Sequence, residues 1–164
     1  MFDKFGEFDS AEELNVAAEG FLNEGDLESL YALAEENGID RMDAEDYAEK
    51  LTDHLTTVAD AAIGRLTVQE KELKGMKPME AMPILVILNQ TRALCTDPKL
   101  ASAVMRREKR IHKIYDAMKE EARKAGIVCC CGTDRDLEKL IHSYFTEDNA
   151  VFLRNIRNAV RRQA

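Results

Sequence analysis

Apolar residues recur at steps of three and four along almost the whole chain, and between these runs stand residues that start or stop helices. The pattern holds from Leu14, Ala17, Ala18, Phe21 and Leu22 to Val151, Phe152, Ile156 and Val160. No stretch alternates apolar and polar residues between turn signals, the mark of a half-buried strand. The chain is therefore read as all-α: a compact multi-helix bundle of about seven to eight helices with short connections.

The punctuation places the elements. Phe2, Phe5 and Phe8 recur at every third position of a short arm that should pin onto the core. Ser10-x-x-Glu13 has the form of a capping box and starts a helix over about 11–23, which Gly25 stops. Asp26 caps a second helix over about 27–36, closed by Asn37-Gly38. Asp40 caps a third apolar pattern that runs on to Leu73. That is long for one helix, so a break is expected near Leu51–Asp53 or at Gly64. Gly75-Met76-Lys77-Pro78 is the clearest internal linker.

Pro83 would cost an internal hydrogen bond, so the next helix is expected to become regular only from about residue 82. Its sequence, Ile84-Leu85-Val86-Ile87-Leu88, is apolar on all sides, which predicts a buried central helix. Further helices are expected over about 98–106, 107–125, 134–146 and 148–162, with Asp97-Pro98, Gly126 and Thr133-x-x-Asp136 as boundary signals.

The 164 residues are 45% apolar, enough for a core without staples, and 33% charged. The net charge of −8 hides an asymmetry. Residues 1–60 carry 18 acids against 3 bases, and residues 61–164 carry 13 against 20. This divides the chain into an acidic helical module, 1–75, and a more basic one, 76–164, docked as one compact unit. Such an asymmetry points to a charged partner, or to one half docking on the other.

No apolar run approaches the ~20 residues that span a bilayer, and Met1–Glu7 has no basic flank leading into an apolar stretch. No membrane association is expected, and the cytoplasm is the expected compartment. The apolar helix and small size permit a dimer.

Catalytic signatures are missing: there is no Gly-x-Ser-x-Gly elbow, no glycine-rich phosphate loop, and no complete set of nucleophile, base and orienter. A non-enzymatic protein is expected. Cys129, Cys130 and Cys131 are adjacent, and with His112, His142 or Cys95 they could in principle make a zinc site, for which Cys129, Cys131 and His142 are the weak candidate ligands. Neighbouring cysteines point in different directions and no Cys-x-x-Cys pair exists, so the thiols read as part of a connector and no cofactor is expected.

Two charged surfaces stand out. Glu35, Glu36, Asp40, Asp43, Glu45, Asp46 and Glu49 crowd the second and third helices, a face suited to a basic protein or ribonucleoprotein partner. Arg106, Arg107, Lys109, Arg110 and Lys113, with Arg154, Arg157 and Arg161 on the last helix, form the candidate nucleic-acid-binding set.

The opening Met1-Phe2-Asp3-Lys4-Phe5-Gly6-Glu7-Phe8-Asp9-Ser10-Ala11-Glu12-Glu13-Leu14-Asn15 resembles a group of small helical proteins carried on mobile elements of gut Firmicutes. So do Gly25-Asp26-Leu27-Glu28-Ser29-Leu30 and Glu36-Asn37-Gly38-Ile39-Asp40. The later half, from Asp97-Pro98-Lys99 through Tyr115, Ala122-Arg123 and Tyr144-Phe145-x-Glu147-Asp148, is loosely similar to PcfK-like and anti-CRISPR Cas9-inhibitor proteins. The resemblance implies a helical binding protein whose target is Cas9 or its guide complex. The alternative it leaves is a nucleic-acid-binding accessory protein of a conjugative element.

Overall fold

The computed structural model describes residues 4–128 and 132–162. Among these residues there are nine helices and no strand: α1 (Ala11–Glu24), α2 (Leu27–Glu36), α3 (Arg41–Ala48), α4 (Val58–Glu72), α5 (Pro78–Leu94), α6 (Pro98–Val104), α7 (Ile111–Ala125), α8 (Asp134–Thr146) and α9 (Asn149–Arg161). The count is nine rather than seven to eight because the long third pattern ends at Ala48 and resumes at Val58.

Local chemistry sets most boundaries. The side chains of Ser10, Asp26, Asp40, Thr57, Asp97, Thr133 and Asp148 each accept a backbone N–H at a helix start. Thr133 and Asp136 complete a reciprocal capping box. Glu13 reaches back one residue further than a capping box requires and accepts the N–H of Asp9 at 2.9 Å. It thus fixes the arm as well as the helix. Gly25 closes α1 in the left-handed conformation, with φ of 74°.

Most of the buried apolar residues fall into two clusters. The smaller one joins α1, α2 and α3 through Leu14, Ala18, Leu30, Leu33, Ala44, Tyr47 and Leu55, with Phe5 and Phe8 of the arm laid against it. Phe5 meets Phe21 edge to face at 5.3 Å. The larger cluster is built from α4 to α9 and includes Leu66, Ile87, Leu100, Ile114, Leu140, Phe145 and Ile156. Ala11, Ala61 and Met105 form a small third cluster where α1, α4 and the end of α6 meet. Nearby, Asn15 on α1 exchanges two hydrogen bonds with the backbone of Thr56, at 2.9 and 3.0 Å.

Three expectations change. Helix α5 is regular from Pro78 and carries Pro83 inside it. The bond Pro83 cannot donate would end on the carbonyl of Met79, a residue 89% exposed, where water can satisfy that oxygen. Nor is α5 buried on all sides: Ile84, Ile87, Leu88 and Thr91 face the core, and Met82 and Val86 face outward. Gly64 is not a break but lies within α4, and a Cβ there would sit 2.6 Å from the carbonyl oxygen of Asn37.

Candidate functional site

A groove of about 690 Å³ runs between the α2–α3 corner and one face of α4. It exists because backbone touches backbone at its base. Gly38, with φ of 72°, turns the chain after α2, and a Cβ on it would lie 2.5 Å from the carbonyl oxygen of Gly64. Only glycine at both positions lets the corner rest on α4. Ala34, Ile39, Ile63 and the two glycines line the groove together with four carboxylates, Glu35, Asp40, Asp43 and Asp60, and two cations, Arg41 and Lys71. Asp60, Ile63, Gly64, Thr67 and Lys71 follow one another along α4 at helical spacing, so they share one face.

The predicted acidic face is only partly free. Glu36 turns away from it: its carboxylate accepts the N–H groups of Lys4, Phe5 and Gly6 at 3.2–3.3 Å and holds the arm. Asp40 caps α3, accepting from Met42 N–H at 2.8 Å. Glu45 pairs with Arg41 at 2.8 Å, and that guanidinium lies 3.9 Å from the centre of the Tyr31 ring. Glu35, Asp43, Asp46 and Glu49 have no ion pair among the described residues. Of the seven predicted acids, Glu35, Asp40 and Asp43 line the groove and the other four do not. Asp60, which the sequence does not single out, joins them from α4. Asp43 is held above the usual carboxylate range, first by partial burial and then by the like charges of Asp40, Asp60 and Asp46.

The first basic patch is largely used up inside the molecule. Arg107 donates its backbone N–H to Asp9 at 2.9 Å, and its side chain pairs with the same carboxylate at 3.1 Å. Arg110 pairs with Glu7 and lies 3.6 Å from Glu72. Lys109 donates to the carbonyl of Tyr144 and lies 4.6 Å from that ring's centre, and burial pulls its ammonium pKa down. Lys113 donates to the carbonyl of Glu108 at 3.0 Å. On α9, Arg157 pairs with Glu121 at 3.0 Å. Arg106, Arg154 and Arg161 are exposed and have no ion pair among the described residues.

The residue that organises this network is Arg65, 3% exposed on α4 and outside every predicted set. Its guanidinium reaches Glu7 at 3.2 Å, the carbonyl of Met105 at 3.2 Å and the carbonyl of Phe8. Nearby, the buried Gln69 accepts the N–H of Ile111 at 2.8 Å and fixes the start of α7. An arginine between Gly64 and Leu66 in an apolar run was the available signal, set against the acids of the arm.

The candidate zinc ligands Cys129 and Cys131 lie outside the described residues. His142 lines a small groove with Glu138, Glu147 and Asn155. Among the described residues no group of three or more His, Cys, Asp or Glu is placed to hold a metal ion. Cys95 is buried, donates its thiol to the carbonyl of Thr91 and has its pKa pushed up to about 11 by burial. Among the described residues no helix is long and apolar enough to cross a membrane. Compared with protein-family models, with curated proteins and with solved structures, the chain matches none.

Proposed function

We propose that this chain is a non-enzymatic binding protein that docks a basic surface of a protein or ribonucleoprotein partner along the α2–α3/α4 groove. One observation carries the reading. The cations of the 106–113 segment are largely engaged by the chain's own groups, whereas Glu35 and Asp43 at the groove form no ion pair among the described residues. An apolar floor beside the unpaired Glu35 and Asp43 suits a segment carrying Lys or Arg beside an apolar side chain.

The N-terminal resemblance supplies a specific candidate. A cytoplasmic protein encoded on a mobile element would meet Cas9, which holds its guide–target duplex in a positively charged channel. Purified protein is mixed with a Cas9–guide complex and followed by co-elution and DNA cleavage. Co-elution with loss of cleavage is expected, both abolished by Glu35→Lys with Asp43→Lys. Neither co-elution nor inhibition by the wild type removes Cas9 as the target. Salt-sensitive binding to bare duplex DNA, weakened by Arg154→Ala with Arg161→Ala, would instead favour the nucleic-acid accessory role.

A further inference from the structure

Three arginines from distant parts of the chain converge on the N-terminal arm. Arg65 of α4 and Arg110 at the start of α7 share the carboxylate of Glu7, and Arg107 pairs with Asp9. Arg65 is 3% exposed and reaches the arm twice, at Glu7 and at the carbonyl of Phe8.

Glu7 does not satisfy the site it occupies. Its two carboxylate oxygens are each taken once, Oε2 by Arg65 and Oε1 by Arg110. Arg110 Nη1 is buried without a hydrogen bond among the described residues, since Glu72 stands 3.6 Å away. Gln69 is 4% exposed; its Oε1 accepts the N–H of Ile111, and its buried Nε2 finds no acceptor among the described residues. Turning that amide round would set one donor against another, so the orphaned N–H groups are fixed in place. Gln69 stands one helical turn beyond Arg65 on the same face of α4 and is bonded to the residue after Arg110, which puts it beside both arginines. Buried donors are almost always paired, and an exception calls for a cause.

A phosphate fits these donors better than a carboxylate does. It offers three terminal oxygens instead of two, and the planar guanidinium fork matches it as well as it matches a carboxylate. The charges balance too. The arm brings two carboxylates, Glu7 and Asp9, to the three arginines. A phosphate monoester carries close to the same charge at neutral pH.

We propose that Arg65, Arg110 and Gln69 form a binding site for a dianionic phosphate group, which the arm closes by seating Glu7 in it. Because the arm is tethered, Glu7 competes at high effective concentration, and phosphate enters when the arm lifts. Separate contacts hold the arm down: Phe5 and Phe8 lie against the α1–α3 cluster, and Glu36 accepts the N–H groups of Lys4, Phe5 and Gly6. Loosening those contacts opens the site without altering any group in it. None of Arg65, Gln69 and Arg110 lines the α2–α3/α4 groove, so the inference stands apart from whatever that groove binds.

The test is calorimetric titration of the full chain with inorganic phosphate and, in parallel, with phenyl phosphate. Wild type is expected to bind weakly. Phe5→Ala with Phe8→Ala, which keeps every charge, is expected to bind about tenfold tighter, because apparent affinity scales with the fraction of molecules whose site is open. Glu36→Gln serves as the second opening variant should that pair fold poorly. Adding Arg110→Met to either is expected to abolish binding. Tighter binding of phenyl phosphate would identify a phosphorylated molecule as the source of the group, and tighter binding of inorganic phosphate the free ion. An opened variant that is folded by circular dichroism and binds neither probe at tens of millimolar overturns the site. Binding that survives Arg110→Met in a folded protein overturns its location, and equal affinities of wild type and opened variants overturn the closing role of the arm.

Discussion

The carboxylate of Glu7 lies 3.2 Å from the guanidinium of Arg65, across 58 residues of sequence, where that guanidinium also meets the carbonyls of Phe8 and Met105. Glu7 also pairs with Arg110, so one acid of the arm serves two arginines. The charge asymmetry of the sequence is therefore partly resolved within the molecule, with the arm docked on the basic segment. The arm acts as a strap: Glu36 holds its backbone, and Phe5 and Phe8 hold its apolar side.

Removing Glu7 should be costly. Glu7→Gln leaves Arg65 buried without its carboxylate, a loss of about 3–5 kcal/mol when one member of a buried pair is deleted. Adding Arg65→Met should restore only part of that loss, because it removes the uncompensated buried charge but takes the donor from the carbonyls of Phe8 and Met105. Urea unfolding of the two variants and the wild type checks the order. A Glu7→Gln protein as stable as wild type would show that the strap contributes nothing.

Two glycines should respond in opposite directions to the same substitution. Gly38→Ala forces a left-handed backbone on alanine, at about 1–2 kcal/mol, and drives a Cβ into the backbone of Gly64. Its cost should exceed the conformational contribution alone. Gly20 lies inside α1, and a Cβ added there would meet nothing within 4 Å. Gly20→Ala should stabilise by about 0.5–1 kcal/mol. Thermal melts of both variants decide it.

Asp43 should titrate above the ordinary aspartate value of 3.8. A carboxyl whose pKa is raised by folding holds its proton more tightly in the folded state. Its ionisation therefore opposes folding as the pH rises above the ordinary value, and the lost stability returns as the pH falls and Asp43 protonates. Side-chain NMR titration reads the value directly. Added salt should lower it, because the repulsion from Asp40, Asp60 and Asp46 is screened while the burial contribution stays.

Cys95 should be inert in the folded protein. With its pKa near 11, almost none of the thiol is ionised at mildly alkaline pH, and the thiolate is the reactive form. Iodoacetamide should leave Cys95 unmodified until urea unfolds the chain, as read by peptide mass spectrometry. Labelling in the native state would contradict its burial against Thr91.

Features with local causes were legible in the chain alone. Ser10, Asp26, Asp40, Asp97 and Thr133 cap helices because a short polar side chain reaches an N–H two or three residues on, and no distant residue is needed. The buried faces of α7 and α9 were legible because each has a charged side opposite an apolar one. Helix α5 had no such contrast, so only its packing against α4, α7 and α8 decided which side stayed outside. Gly64 reads as a weak point in a helix until the α2–α3 corner is laid upon it. The candidate site was half legible for the same reason. That Glu35, Asp40 and Asp43 crowd one region follows from spacing, but Asp60 joins them only through the fold. Whether Arg107 and Arg110 face a partner or the chain's own arm is settled about a hundred residues away, at Asp9 and Glu7, because ion pairs depend on distance in space and not along the chain.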